Sequence, residues 1–235
     1  MTRTRSYGGT LEFLDQSNLD PQELRTSIAD VGRLNRWFGG TRAVVAEVRR
    51  VVRQRGLKGE TKMLDVGTGG ADIPRALVRW GKRQGLSFRI VACDRHQQIA
   101  VVAAASRDGD ASISILRADA LELPFPAGHF DFVTCSLMIH HLAEKDVVTL
   151  LDKLRRLPRH ALIVSDLERG RLAYVGTWLG THLTCRSRFT RHDGPVSVRR
   201  AFTLDELRAI SDRAGCEDMR WLPRPCFRTV GVLEI

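Results

Sequence analysis

The chain has 235 residues, of which 43% are apolar and 27% charged, and its formal net charge is +10. This length suits one domain with an N-terminal extension. No apolar run approaches the roughly 18 residues of a membrane-spanning helix, which excludes an integral membrane protein and indicates a soluble globular one.

The positive charge comes almost entirely from arginine, because only five of the 37 basic residues are lysines. A positive field attracts nucleic acid, anionic membranes and acidic ligands. The arginines are scattered through every segment, however, which favours an ordinary solvated surface. The N-terminal stretch MTRTRSYGGTLEF has no apolar segment after its arginines, so we predict no secretory signal and a cytoplasmic location.

The cysteines do not form a recognisable pattern. They are odd in number and widely spread, with no Cys-x-x-Cys, so we predict neither disulfides nor a metal site. We expect reduced, mostly buried side chains at Cys93, Cys135, Cys185, Cys216 and Cys226.

The first elements in chain order are two helices, Pro21 to Trp37 and Arg42 to Arg55, separated by Gly39-Gly40. From about residue 62, short apolar runs alternate with segments of helical periodicity; the runs are KMLDV, RIVAC, SISIL, FDFVTCS and ALIVSD. This alternation predicts a parallel sheet with helices on both faces. We therefore divide the chain into a helical extension and lid, 1–58, and a main domain, 59–235.

Four helices are predicted between and after these strands: Asp72 to Arg83, His96 to Arg107, Glu144 to Leu157, and Leu204 to Ala214 with a capping box at Thr203 and Glu206. Met219 to Trp221 and Phe227 to Leu233 are predicted to form a terminal antiparallel hairpin. The predicted fold is a doubly wound, Rossmann-like α/β domain. Its seven-stranded sheet is mostly parallel, with an antiparallel C-terminal strand.

A glycine-rich loop follows the first strand in KMLDVGTGGADIP. Glycines at Gly67, Gly69 and Gly70 permit positive φ and let a ligand approach the backbone. A dinucleotide fingerprint would place a third glycine at position 72, where this chain has Asp72. Since a carboxylate there opposes a pyrophosphate, the loop is better suited to a cationic or zwitterionic ligand.

Two further carboxylates stand at strand ends. Asp94 ends the second strand, where it can accept hydrogen bonds from both hydroxyls of a ribose, and Asp119 follows the third, where an adenine amino group could donate to it. Together with Asp65 before the glycine loop, they predict a nucleoside site that has no phosphate anchor.

The segments LDVGTGGADIP, VACDR, RADALELPFPAGHFDFVTCSLMIHHL and ALIVSDL resemble the ordered motifs of class I S-adenosylmethionine-dependent methyltransferases, over about residues 60–167. The likeness is greatest to the branch that holds ubiquinone and menaquinone biosynthesis enzymes and many small-molecule O-methyltransferases. It implies S-adenosylmethionine as cofactor. The cofactor-binding residues it implies are Asp65, Gly67, Thr68, Gly69, Asp94, Arg95, Asp119, Ala120 and Ser136.

Methyl transfer from a sulfonium mainly requires alignment in a dry pocket, and a base is needed only where the acceptor loses a proton. The candidate catalytic residues are His140 and His141, which follow the fourth strand, and His192. We place His192 in a loop after the fifth strand, where Asp193 could orient it for catalysis or acceptor contact; the alternative is a turn closed by Asp193-Gly194-Pro195. For His140 and His141 the alternative is a structural or acceptor-orienting role.

The segment LAYVGTWLGTHLTCRSRFTR carries an apolar stripe at helical spacing, Leu172, Val175, Leu179 and Leu183, between arginine pairs. It is interpreted either as a core-facing helix or as a lid over a lipophilic acceptor that rests on an anionic membrane. In the second case it roofs the pocket together with the first helix, which carries Leu34, Trp37 and Phe38.

The function that the sequence favours is O-methylation of a small, largely apolar, phenolic or polyketide-like acceptor. C-methylation of a quinone or quinol precursor is the main alternative. RNA methylation, a basic nucleic-acid-binding module and nicotinamide-dependent reduction are less favoured, because aromatic-basic interleaving and the phosphate-side glycine are absent from the sequence.

Overall fold

A computed structural model describes residues 12–16, 18–106 and 109–235. Seven strands form one sheet in the order β3-β2-β1-β4-β5-β7-β6. They are β1 (Glu60–Val66), β2 (Ser87–Asp94), β3 (Ile113–Arg117), β4 (Phe130–Ser136), β5 (Pro158–Leu167), β6 (Arg220–Arg224) and β7 (Arg228–Glu234). Strands β1 to β5 are parallel, and β7 runs antiparallel to both β5 and β6. The predicted mostly parallel sheet with an antiparallel C-terminal strand is confirmed.

The helices of the described ranges are α1 (Pro21–Trp37), α2 (Gly40–Arg55), α3 (Asp72–Gln84), α4 (Gln97–Ser106), α5 (Glu144–Leu154), α6 (Arg171–Thr184), α7 (Arg188–Arg200) and α8 (Leu204–Arg213). Short 3-10 turns lie at Phe13–Asp15 and Ile139–His141. The capping box of α8 is present as predicted. None of these helices is long and apolar enough to cross a membrane. The N-terminal residues 1–11, on which the secretory-signal prediction rests, and the predicted helix end at Arg107 lie outside the described residues.

Successive strand residues alternate between two apolar cores. Met63 and Phe132 pack with α2 and α3 on one face, whereas Leu64 and Val133 pack with α5 and α8 on the other. Because both faces are covered, the strands appear in the sequence as continuous apolar runs. Four of the five cysteines are buried, as predicted, and Cys226 is exposed.

Helix α1 is tied to the segment that opens α7. The carboxylate of Asp30 accepts hydrogen bonds from the backbone amides of Arg186 (2.7 Å) and Ser187 (2.8 Å). Helix α2 behaves differently, since Val44, Val48 and other apolar side chains on it belong to one core of the sheet. The domain boundary at residue 58 stays a prediction.

The turn expected at Asp193 to Pro195 is wrong, because these residues lie inside α7. Tertiary contacts override the local turn pattern: the Asp193 carboxylate accepts the amides of Phe13 (2.9 Å) and Leu14 (3.2 Å). Gly194 permits close packing on α6, where an added Cβ would lie 2.8 Å from Thr181 Cγ2. His192 is therefore a helical residue and not a loop residue.

The orientation of α6 also differs from the core-facing interpretation. Its predicted apolar stripe is exposed, with Leu172 at 75% and Leu183 at 82% of full exposure, while Ala173 and Thr181 face inward. Two bounds shift as well: α2 begins at Gly40, and α5 ends at Leu154 rather than at the residue before Pro158.

Candidate active site

The glycine loop after β1 combines left-handed backbone with close packing. Gly67 and Gly69 have φ values of +68° and +52°. An added Cβ at Gly67 would lie 2.9 Å from Met138 Cγ, so a larger residue is excluded by contact as well as by conformation. Beside Gly69 there is open space, which leaves its backbone accessible to a ligand.

Asp94, at the end of β2, is held by two backbone amides. Gly69 donates to one carboxylate oxygen (3.2 Å) and His96 to the other (3.0 Å). Burial raises the pKa of Asp94 despite these hydrogen bonds. The carboxylate therefore couples the glycine loop to the second strand and retains lone pairs for a further donor.

Asp65 is a buried carboxylate beneath the same loop. Burial raises its pKa to about 7; the Thr134 hydroxyl, which donates at 2.6 Å, opposes the rise, and the carboxylates of Asp72 and Asp94 add to it. A cationic group placed nearby would stabilise the ionised form.

A cavity of about 200 Å³ opens between this loop, the strand ends and α1. Among the residues that line it are all nine cofactor-binding candidates, Asp65, Gly67, Thr68, Gly69, Asp94, Arg95, Asp119, Ala120 and Ser136. The Ser136 hydroxyl is buried and has no hydrogen-bond partner among the described residues. Open space at Gly69, three carboxylates and an unpartnered hydroxyl suit a cationic nucleoside such as S-adenosylmethionine.

A second cavity, of about 290 Å³, adjoins the first. Five residues line both: Leu14, Val31, Asn35, Leu137 and His141. Leu137, directly after β4, has a φ of +52°, an unusual conformation for a residue with a Cβ, and its amide donates to the Ser165 carbonyl at 2.8 Å. Such backbone strain is concentrated at functional sites.

The second cavity has apolar walls and a few polar groups. The apolar side chains come mainly from α1 and the residue after it, from the end of β5 and from the segments after β4 and β6, and they include Leu34, Phe38, Leu167 and Phe227. Helix α1 lines both cavities and α6 lines the second, as the roof prediction requires, although Trp37 lines neither. Helix α6 contributes its small residues rather than its apolar stripe.

His140 and Asp166 form a buried pair at the wall of the second cavity. His140 Nδ1 lies 2.5 Å from one Asp166 carboxylate oxygen, and the His140 amide donates to the other at 3.2 Å. Burial alone would raise the pKa of Asp166, but the charge and hydrogen bond of His140 hold it below its usual range. Asp166 thus fixes the imidazole orientation. In the described ranges, Nε2 has no hydrogen-bond partner, and the Glu12 carboxylate lies 4.0 Å away.

His141 belongs to an ion-pair network centred on Arg200, whose member Glu12 lies between the two histidines. Its Nδ1 lies 3.0 Å from Asp15, and the fully buried Arg200 guanidinium contacts Glu12 (3.1 Å) and Asp15 (2.7 Å). Burial raises the pKa of Glu12 to about 7, although His141 and Arg200 act to lower it. The network attaches the segment before α1 to the edge of the cavities.

The sequence predicts no metal site, yet Glu12, His140 and His141 place one ligand atom each within 4.8 Å of one another. Arg200 already supplies positive charge at Glu12, 3.1 Å from its carboxylate. A divalent cation there would be repelled by the guanidinium, so we interpret the cluster as a hydrogen-bonding and ion-pair network.

His192 does not line the site, although its neighbour Asp193 lines the second cavity and its ring lies 4.7 Å from that of Phe13. Its Nδ1 pairs with Asp193 at 2.8 Å, its side chain is 39% exposed, and it lines neither cavity. Five site residues were absent from the sequence interpretation: Glu12, Asp15, Asp166, Arg200 and Arg228. Of these, only Asp166 could have been recognised from the sequence, because it lies near the end of a predicted strand as Asp94 does.

The comparisons with known proteins agree with this geometry. Residues 63–160 match a family described as methyltransferase domain. The chain is similar to a solved S-adenosylmethionine-dependent methyltransferase from Aquifex aeolicus, at 19% identity and a TM-score of 0.58, over 93% of this chain and 100% of that one. It is also similar to an O-methyltransferase family 2 protein from Planctomyces limnophilus solved with apigenin, at 18% identity and a TM-score of 0.52, over 74% and 49%. No curated protein matches the sequence.

At these identities the solved structures show a common fold, and the quinone-biosynthesis branch stays a prediction. The matched family, the sheet order and the acidic strand ends around one cavity agree with one another. Residues 63–160 therefore form a methyltransferase domain with a Rossmann-like fold, which implies S-adenosylmethionine as the methyl donor.

Proposed function

We propose that this enzyme transfers the methyl group to the hydroxyl oxygen of a small, largely apolar, phenolic acceptor bound in the second cavity. The observation that carries the proposal is the His140–Asp166 pair: a buried imidazole, oriented by a carboxylate at 2.5 Å, lines a cavity that adjoins the cofactor cavity. A phenol has a pKa of about 10, so its methylation benefits from such a base.

In the cofactor cavity, Asp94 is the proposed acceptor of the ribose hydroxyls, and Asp119 and Ala120 are assigned to the adenine. Asp65 and the loop from Gly67 to Gly69 are assigned to the methionine end. S-adenosylmethionine, when bound, supplies the methyl group from its sulfonium sulfur, and this sulfur becomes a neutral thioether when the methyl group is transferred. The chain itself has to align the acceptor and keep water out.

The proton step is assigned to His140. With Nδ1–H donated to the Asp166 carboxylate, Nε2 carries a lone pair and accepts the hydroxyl proton of the acceptor. Asp166 stabilises the imidazolium that results, and its lowered pKa keeps it anionic. The bond that forms is oxygen to carbon, and the proton stays on His140 until solvent removes it.

Arg228 supports an acceptor with an electron-rich oxygen. It lines the second cavity, is buried, and uses Nη2 to donate to Asn35 at 2.8 Å, whereas Nη1 has no partner in the described part of the chain. Burial lowers its pKa, which reflects an incompletely compensated cation. An oxygen of the acceptor would compensate it.

The test is product analysis after incubation with S-adenosylmethionine and a panel of phenols, prenylated quinols and RNA, with and without EDTA. We expect the products to be methyl ethers of apolar phenols, formed equally with and without EDTA. Mass spectrometry identifies the products, and their chemical stability identifies the new bond as an ether bond. Carbon-methylated quinols would replace the proposal by the quinone-pathway alternative, and labelled RNA would overturn it.

A pH dependence of cofactor binding is expected from Asp65. The pKa of its carboxyl is raised to about 7, so below pH 7 the carboxyl is mostly protonated. A cationic ligand is attracted by the ionised carboxylate, and its binding below pH 7 therefore requires the loss of this proton. The affinity for S-adenosylmethionine should therefore increase by about tenfold per pH unit as pH rises toward 7. Isothermal titration across this range measures it.

Asp65→Asn is the matched control, because it retains the shape of the side chain and lacks the titration. The variant should show only the pH dependence of the ligand. An equal slope in the variant and the parent protein would assign the titration to another group.

A further inference from the structure

An exposed apolar surface, here called the apolar patch, covers the outer face of α6 and its surroundings. Most of its members exceed 40% exposure, and Leu183 reaches 82%. It consists of Trp37, Phe38, Leu172, Val175, Trp178, Leu179, Leu183 and Phe227. Soluble proteins rarely expose so many large apolar side chains together, and such surfaces mark interaction sites.

The members of the apolar patch are neighbours in space. An added Cβ at Gly180 would lie 3.7 Å from Phe38 Cζ, and one at Gly176 would lie 3.4 Å from Phe227 Cε2. Both aromatic rings therefore rest on α6, and Trp37 directly precedes Phe38 at the end of α1. The surface is thus continuous across three separate segments of the chain.

Helix α6 has the reverse of the usual amphipathic arrangement. Its small residues, among them Ala173 and Thr181, face the protein, and its large apolar residues face outward. The close packing at Gly194 holds this orientation, because rotation of α6 would bring larger side chains into a contact that already excludes a Cβ. The outward apolar face is a consequence of tight packing and not of a loose helix.

Positive charge borders the apolar patch. Arg171 begins α6, Arg186 follows it, and Arg36 precedes Trp37; all three are exposed, and none forms an ion pair within the described residues. Helix α6 contains no acidic residue. An apolar face with a cationic border is the pattern of proteins that lie on an anionic lipid surface.

We infer that the apolar patch docks the enzyme on the surface of an anionic bilayer, with its large apolar side chains inserted among the lipids and the arginines at the headgroups. A second copy of the chain is a poorer occupant. Two apolar patches facing each other would bring the unpaired arginines of both chains together. Each chain has a net charge of +10, so the two copies would repel each other.

Docking would also bring the second cavity to the lipid surface. Phe38 and Phe227 belong to the apolar patch and also line that cavity. Gly176 and Gly180 of α6 line the same cavity. A lipophilic acceptor dissolved in the bilayer could then enter between these side chains. This delivery role rests on the proposed function, whereas the docking surface itself does not.

The experiment is flotation of the full chain with vesicles of equimolar phosphatidylglycerol and phosphatidylcholine, compared with pure phosphatidylcholine vesicles. We expect binding to the anionic vesicles, weakened by salt, and little binding to the neutral ones. Fluorescence of Trp37 and Trp178 should be quenched by brominated lipid chains. Absence of binding to the anionic vesicles would overturn the inference.

Two sets of variants make the test specific. Leu179→Ser with Leu183→Ser should weaken vesicle binding by about tenfold or more, and Arg171→Gln and Arg186→Gln by about fivefold each. Val101→Ser is the matched control, because Val101 is 59% exposed on α4, outside the apolar patch, and its loss should change nothing. Equal binding by control and patch variants would show non-specific adhesion and reject the surface.

Gel filtration of the same variants tests whether a second copy of the chain binds the apolar patch instead of a bilayer. A dimer that is lost in Leu179→Ser with Leu183→Ser, without vesicle binding by the parent protein, would assign the apolar patch to self-association. Binding of S-adenosylhomocysteine by isothermal titration should be unchanged in all variants. Because vesicle binding requires no acceptor, its failure and a failure of the proposed methylation are separate results.

Discussion

Replacing His140 by glutamine is expected to lower kcat for a phenolic acceptor by about 10²- to 10⁴-fold, the usual contribution of a general base. The variant retains a hydrogen-bonding group of similar size but cannot accept the proton. Asp166→Asn should lower kcat as well, because the amide no longer stabilises the imidazolium that forms at 2.5 Å from it. Steady-state and single-turnover kinetics measure both effects.

The pH profile separates a catalytic base from a structural histidine. In His140→Gln, the rate should depend on acceptor that is already ionised and rise about tenfold per pH unit toward the acceptor pKa of about 10. The parent enzyme should reach its plateau at lower pH. A structural role would lower the rate by a constant factor at every pH.

His192→Gln is the matched control for this experiment. His192 is also paired with a carboxylate, Asp193 at 2.8 Å, but it lines neither cavity. Its replacement should leave kcat within about threefold of the parent value, since surface substitutions have small effects. If His140→Gln retained full activity while bound cofactor was unchanged, the base would have to be sought elsewhere or the acceptor would need none.

Asp94→Ala is expected to weaken the binding of S-adenosylmethionine by about 100-fold. Two hydrogen bonds from ribose hydroxyls to a carboxylate are each charge-assisted and contribute roughly 1.5 kcal/mol or more. The loss should be equal for S-adenosylhomocysteine, because both ligands share the ribose and differ at the sulfur. Isothermal titration with both ligands measures it.

The Asp94 carboxylate also accepts the amides of Gly69 and His96, so the alanine variant loosens the glycine loop. Asp94→Asn controls for this, because it keeps an acceptor oxygen and should bind both ligands with intermediate affinity. Asp205→Ala, an exposed carboxylate on α8, controls for net charge. Unchanged affinity in Asp94→Ala would reject the assignment of the first cavity to the nucleoside.

That the nine cofactor-binding candidates lie together could be predicted from the sequence for a simple physical reason. The carboxyl ends of parallel strands meet at one edge of a sheet, so residues at the ends of β1, β2 and β3 are brought together once the strands are recognised. The strands themselves were recognisable because both sheet faces are buried, which makes each strand a continuous apolar run. All nine candidates line one cavity.

The pairings on the proposed acceptor side could not be predicted in this way. His140 pairs with Asp166, which lies 26 residues further along the chain, and Arg200 pairs with Glu12, which is 188 residues away in sequence. No local pattern encodes such pairings, because they depend on how β5, α7 and the segment before α1 pack together. Asp166 was visible only as a strand-end carboxylate.

The orientation of α6 and the helical state of α7 were likewise decided by packing. Helical spacing in the sequence established that Leu172, Val175, Leu179 and Leu183 share one face of a helix, but a periodicity states nothing about which side the face is on. Contact between α6 and α7 at Gly194 turned that face outward and held Asp193 inside a helix where its turn pattern predicted a loop. The sequence by itself thus determined the strands, the glycine loop and the acidic strand ends, because local hydrophobicity and backbone chemistry specify them. Only the tertiary structure determined the pairing of His140, the proposed base, with its carboxylate partner and the exposed face of α6, because these arise from contacts between segments distant along the chain.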